Sequence, residues 1–390
     1  MKIGHWLLSV AFVCSLSSCK KEEKESITTP PEVGFEKHIG GLQDDEANSV
    51  VFKNGYVFIF GTSKSFGDIN GDHYLIKLDS EGDIVFEKTY GGSLEEKGAK
   101  ILATKDGNFL LIGSTKSTGN GQKDIHVMKV NEQGDLLWEK VFGGALDDVA
   151  NSIIETNNAE FCIIGNTQSF GRGSRDMYVV WINQEGDLIR QTSYGGVETD
   201  GGADLVEVDN NDLMLFGYTR NFGATSIDLF LLRINALGDS LWSQRYGGDE
   251  YEESQAMVKT PQGDLLLHGH SSSTDPNHDM YTVKVDKNGN QLWAKNYGGS
   301  QHDGGHALLV NNAGNYVLVA RSMSFGNGDR NIYLVTTTPD GNIISEDVIG
   351  GEKDDWGQDI IEVGAFYYIV GHSNSMSDTQ NDVYVVKYKK

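Results

Sequence analysis

Phe35-Glu36-Lys37-His38-Ile39-Gly40-Gly41, near the start of the chain, repeats the pattern of Trp138-Glu139-Lys140-Val141-Phe142-Gly143-Gly144. The last repeat stops at Val383-Tyr384-Val385-Val386-Lys387-Tyr388 and lacks such a segment. The early segment is therefore expected to supply the missing piece of the last repeat. Working outward, glycine pairs recur at Gly40-Gly41, Gly91-Gly92, Gly143-Gly144, Gly195-Gly196, Gly247-Gly248, Gly298-Gly299 and Gly350-Gly351, at steps of 51 or 52 residues. A fixed interval of this size marks one supersecondary unit repeated along the chain.

One unit can be read between Gly143 and Gly195. Ser152-Ile153-Ile154-Glu155 is an apolar strand, Asn157-Asn158 a turn, and Phe161-Cys162-Ile163-Ile164-Gly165 a second strand. A polar loop, Ser169-Phe170-Gly171-Arg172-Gly173, leads to Asp176 and a third strand through Tyr178-Val179-Val180-Trp181-Ile182. Gln184-Glu185-Gly186-Asp187 turns into a fourth strand that ends at Tyr194. Short strands separated by turn signals predict an all-β fold. Strands apolar on both faces must be covered on both faces.

Seven such units predict a seven-bladed β-propeller of four-stranded blades, closed by the N-terminal strand completing the last blade. Closure removes exposed sheet edges. A linear solenoid is the alternative, but it needs polar caps at its ends, and none is visible. The expected domain plan is a signal peptide over 1–18, a tether over 19–33 and the propeller over 34–390.

Composition limits the function. The 390 residues include 48 Gly and only 5 Pro, which suits many tight turns, and the formal charge is −24. Such a surface repels phosphate, so no nucleic-acid partner is expected. Cys14, Cys19 and Cys162 leave no pair for a disulfide within the repeats; Cys162, in Phe161-Cys162-Ile163-Ile164, reads as a small buried hydrophobe.

The first residues read as an address. Met1-Lys2 precedes an apolar stretch from Ile3 to Leu16, too short for a permanent membrane helix. Leu16-Ser17-Ser18-Cys19 resembles the bacterial lipobox, which implies lipidation of Cys19 and anchoring to a membrane. Lys20-Lys21-Glu22-Glu23-Lys24-Glu25 resembles the export signal of Bacteroidota surface lipoproteins. By that resemblance the expected location is the outer membrane, surface-exposed, with its periplasmic face as the alternative.

The repeat is similar to the quinoprotein-like propellers with a Trp-docking motif, through Asp286, Gly289, Trp293, Gly298 and Gly299. It also resembles Bacteroidota propeller lipoproteins with the pattern Trp-x-x-x-Tyr-Gly-Gly. Both resemblances imply the fold rather than an activity. The docking column reads Phe35, Phe86, Trp138, Arg190, Trp242, Trp293 and Ser345. Arg190 and Ser345 depart from it, so weaker anchoring of those two outer strands is expected. Nothing points to a bound quinone, and no cofactor is expected.

Residues found in every blade serve the blade; residues found in one blade are candidates for function. An acid follows each glycine pair at a fixed distance: Asp45, Glu96, Asp148, Asp200, Glu252, Asp303 and Asp355. A ring of carboxylates suggests Ca²⁺ or a cationic ligand. Sevenfold recurrence favours hydrogen bonding within each blade instead, to turn amides or to a hydroxyl such as Thr167 or Thr219. A second column, before strand three, holds Asp72, Asp124, Asp176, Asp228, Asp279 and Asp382, with Asn331 in the remaining blade. It reads as turn capping.

The singular residues fall in blades five to seven, on loops that share one face. They are Tyr251, His270, His302, Asp303, His306, Arg321, Trp356 and His372, with Asp354 beside Trp356. Aromatics with a few convergent polar groups suit a ligand pocket. The expected function is binding of a glycan, peptide or partner protein. The alternative is acid–base chemistry on a polysaccharide by a His/Asp/Tyr set. His302, Asp303 and His306 are also a weak metal pattern. No nucleophile motif, phosphate loop or zinc signature is present, so no catalytic residue or metal ligand is assigned.

Overall fold

The structure, a computed structural model, describes residues 33–273, 277–326, 329–376 and 380–390. The expected signal peptide, Cys14, Cys19 and most of the expected tether lie outside the described residues. The described chain forms seven antiparallel sheets of four strands each, apart from a single 3₁₀ turn at Asp209–Asn211.

The third blade shows the plan. Asp148–Glu155, Phe161–Thr167, Asp176–Ile182 and Leu188–Tyr194 pair in that order. Every residue of the third strand is buried, and the first strand is innermost. Successive side chains of a strand point to opposite faces, so each sheet meets two neighbours. Phe161 and Ile163 pack with Leu110, Ile112, Ile125 and Val127 of the second blade, whereas Cys162 and Ile164 pack with Leu213, Leu215 and Phe230 of the fourth. Each such buried side chain contributes roughly 1.5–3 kcal/mol relative to exposure. Burial also pushes the Cys162 thiol well above its ordinary pKa.

The seventh blade contains Asp355–Val363, Phe366–Ser373 and Asp382–Lys389, completed by Val33–Ile39. The register runs from Val33 opposite Tyr388 to Ile39 opposite Val383. Blade one then packs on blade seven, with Ile59 and Ile76 against Val370 and Val385. The closed ring holds as the sequence predicts.

Each innermost strand carries a β-bulge at one equivalent position. The bulged residues are Asn48, Ala99, Asn151, Ala203, Gln255, His306 and Gln358. A bulge bends the strand and re-aims a side chain. Here the bulges edge a central channel of about 700 Å³. Lys100 reaches Asp359 at 3.0 Å in this channel, and Asp359 also accepts from Ser49 Oγ at 2.9 Å.

Docking of the outer strands follows one rule with two exceptions. The Trp138 ring packs on Gly186, in the turn of the next blade, where φ is +82° and a β-carbon would stand 2.8 Å from the ring. Arg190, expected to anchor weakly, docks by different chemistry. Its guanidinium donates to Ala236 O at 2.9 Å, pairs with Glu160 at 3.0 Å and lies 4.3 Å over Trp181. Ser345 is exposed.

Candidate functional site

The recurring residues form a knot at every blade junction. The second glycine of each pair donates its N–H to the acid that follows, from Gly41 to Asp45 at 2.9 Å through Gly351 to Asp355 at 2.7 Å. Hydroxyls add to this: Thr115 donates to Glu96 at 2.8 Å, Ser271 to Glu252 at 2.7 Å, and Thr219 to Asp200. Thr167 differs. Its Oγ accepts from the N–H groups of Ser169 and Phe170, each at 3.0 Å. Asp303 belongs to the same knot, with Oδ2 facing Gly299 N at 2.7 Å and Ser324 Oγ at 2.6 Å. It is fully buried and does not line the open face.

The glycines are required by crowding. A β-carbon on Gly143 would stand 1.9 Å from Asp124 Oδ1 and 2.9 Å from Asp148 Oδ2; one on Gly144 would stand 2.6 Å from Ser169 Cβ. The first glycine is thus wedged between the two recurring acids, one from each blade.

The singular residues lie together on the face at the glycine-pair ends of the strands. The Tyr251 hydroxyl donates to Glu253 Oε2 at 2.6 Å, and His270 Nε2 lies 3.3 Å from the same oxygen. The His270 ring centroid is 5.9 Å from those of His278 and His302, which stack at 5.5 Å. Gly304 carries the array onward: a β-carbon there would stand 3.1 Å from His302 Cε1 and 3.3 Å from Arg321 Nε. Arg321 lies 4.2 Å over Trp356, which stacks on His372 at 5.0 Å and tilts against His306 at 5.7 Å. All these side chains except Asp303 therefore form one continuous array across blades five to seven.

Sequence reading missed three members. Glu253 alternates with Tyr251 along a strand, so the two share a side. His278 and Arg330 immediately precede Asp279 and Asn331, on loops already placed at this face. In the other blades that column reads Gly71, Lys123, Arg175, Ile227 and Asn381, so it holds no repeat from which they depart. Arg330 pairs with Asp354 at 3.0 Å and lies 5.6 Å over Trp356.

Burial and the nearby Arg321 hold His302 down to about 4 and His306 down to about 3. Burial, and to a lesser degree His270, lowers His268 to about 4 despite an opposing backbone hydrogen bond. Hydrogen bonds from His270 and Tyr251 hold Glu253 at about 2. At neutral pH the face therefore presents neutral imidazoles at His302 and His306, a carboxylate at Glu253 and the guanidinium of Arg321. Bases that weak are poorly matched to proton transfer near pH 7. Among the described residues, no group of three or more His, Cys, Asp or Glu is spaced to hold a metal ion.

Comparison with known proteins places the fold. No protein-family profile matches the chain. The regulatory protein FlaEY of Caulobacter vibrioides is 22% identical over 251 residues, which is 55% of this chain; the match spans only 26% of that protein. The WD40 propeller domain of Doa1 superposes with a TM-score of 0.55 at 10% identity, covering 93% of this chain and 98% of that one. Drosophila Plexin A, solved with Semaphorin 1b, gives 0.55 at 9% identity, covering 93% and 88%. A Dyadobacter fermentans protein of unknown function gives 0.53 at 11% identity, covering 92% and 98%. At these identities the likeness shows the fold alone: the chain is a seven-bladed β-propeller, an architecture commonly used as a binding and interaction module.

Proposed function

We propose that this propeller is a binding module whose ligand, a glycan, peptide or partner protein, docks on the face formed by blades five to seven. The observation that supports this is the continuous array from Tyr251 to His372. The blade junctions are built from repeated parts, whereas across blades five to seven singular histidines, Trp356 and Arg321 adjoin one another beside the channel. Glu253 and His306 line the channel itself. Glycan and peptide arrays probed with the ring test the reading. Binding should be lost in the double variant His302→Ala/His306→Ala; undiminished binding by that variant would sink the assignment.

A second reading is acid–base chemistry on a polysaccharide. The Tyr251–Glu253–His270 contacts favour it, since a phenol and an imidazole both reach one carboxylate oxygen. Product analysis on each array hit separates the two readings.

The lipobox resemblance supports a location: an outer-membrane lipoprotein anchored through Cys19 and facing outward. Cys19→Ser should move the protein from the membrane fraction to the soluble fraction. Retention in membranes would refute the anchor.

A further inference from the structure

Arg321 stands out among the arginines. Arg190, Arg233, Arg245 and Arg330 each pair with an acid. Arg321 makes no hydrogen bond or ion pair among the described residues, and its Nε is buried without a partner. The chain carries 56 acids against 32 lysines and arginines, so an acidic partner was readily available. The buried Nε has lost its water without replacement, which is costly, and Glu253 and Asp354 attract the guanidinium without an ion-pair contact. Arg330, on the same Trp356 ring, adds like charge.

Trp356 explains how Arg321 is held. Arg321 lies 4.2 Å over the ring, and His372 stacks on it at 5.0 Å. The ring is occupied by protein groups and acts as a support. It backs the guanidinium, whose Nε is buried, so the two terminal nitrogens are the donors a ligand would meet. A planar fork of N–H donors matches a carboxylate in bidentate geometry.

The surroundings narrow the ligand further. The adjoining channel carries amides and hydroxyls, including Asn151, Asn166, Gln255, Gln358 and Ser254, interspersed with the ions Lys97, Lys100, Lys123, Asp204, Glu253 and Asp359. Asn48 Oδ1 and Ser254 Oγ are buried there without hydrogen-bond partners. Such groups suit sugar hydroxyls, which both donate and accept. The surface charge of −24 disfavours densely charged polyanions at a distance.

We propose that the ligand is a uronate-bearing oligosaccharide whose carboxylate is bound by Arg321. This rests on the reading of blades five to seven as the ligand face. Trp356 is a positioning residue. His302 and His306, uncharged at neutral pH, donate or accept neutral hydrogen bonds beside the carboxylate.

The test is calorimetric titration of the purified full chain with three probes: uronate-containing oligosaccharides, the same oligosaccharides with carboxyls reduced to alcohols, and a peptide carrying aspartate at similar spacing. The uronate probe should bind, and carboxyl reduction should weaken it by roughly tenfold or more. Arg321→Gln should cause a similar loss, Arg321→Lys a smaller one, and neither should lower the thermal midpoint. Trp356→Leu should weaken the uronate probe while leaving the reduced probe unchanged. If the reduced probe binds as well as the uronate probe, and binding still depends on His302 and His306, the carboxylate assignment is overturned while the ligand face stands. If only the peptide binds, the saccharide class is overturned. If no uronate probe binds, the proposal falls outright.

Discussion

Six of the seven junctions between blades bring two carboxyls together; the seventh brings a carboxyl and an amide. Asp72 meets Glu96 around Gly91, and Asp382 meets Asp45 around Gly40, whereas Asn331 meets Asp355 around Gly350. Asn331 Nδ2 lies 3.4 Å from Asp355 Oδ2 and donates to Gly351 O at 3.2 Å. No such hydrogen faces Asp72 Oδ1, which is buried without a donor, as are the matching oxygens of Asp124, Asp176 and Asp228. Two adjoining carboxyls relieve their repulsion when one keeps its proton. Burial first, then the neighbouring acid, raises Asp72 and Asp382 above the ordinary carboxylate range. The comparison teaches that the knot wants one hydrogen between its two acids. Asparagine supplies it at every pH.

Filling the wedge is expected to have the largest effect. Gly143→Ala puts a β-carbon 1.9 Å from Asp124 Oδ1, so a buried carboxylate must move. A loss of about 3 kcal/mol is expected by urea denaturation. A smaller loss would mean that the acids are free to shift.

The next test exchanges the two kinds of junction. Asn331→Asp should cost about 1–2 kcal/mol at pH 7, by creating a seventh carboxyl pair. Asp72→Asn should add about 1 kcal/mol at pH 7. The sign follows from linkage. Asp72 has a raised pKa, so the folded state holds its proton more tightly than the unfolded state. Its contribution is fully present below the ordinary carboxylate pKa and is lost as pH rises through the raised value. Asp72→Asn should therefore flatten the decline in stability with rising pH over that window. A gain from Asp72→Asn that is equal at pH 4 and pH 7 would contradict the shared hydrogen. Burial lowers His73, so its own contribution has the opposite sign and is lost as pH falls below 6.5. The variant must be compared with the wild type at each pH.

The ring was legible in the sequence because its evidence is repeated. A strand that is apolar at every position, such as Phe161–Thr167, signals cover on both faces, and the spare strand at Val33–Ile39 signals closure. The clustering of Tyr251, His270, His302, His306, Arg321, Trp356 and His372 was legible as departures from the repeat. Glu253, His278 and Arg330 were not, because the columns they occupy vary from blade to blade and offer no repeat to depart from. Arg190 shows the complementary error. An aromatic column read as packing hid the fact that a guanidinium reaches the same turn by hydrogen bonds. The reason for paired glycines was also invisible, since it lies in two acids from different blades.

Ring closure by Val33–Ile39 has a mechanical consequence. This strand runs toward the glycine-pair face, because Ile39 lies opposite Val383 and leads into Gly40-Gly41. Val33 therefore sits at the opposite end of the blade. A pull on the chain at Val33, resisted by a ligand held on the far face, would act along the strand axis. Antiparallel hydrogen bonds lie across that axis. They would bear the load together in shear, rather than opening one at a time as in unzipping.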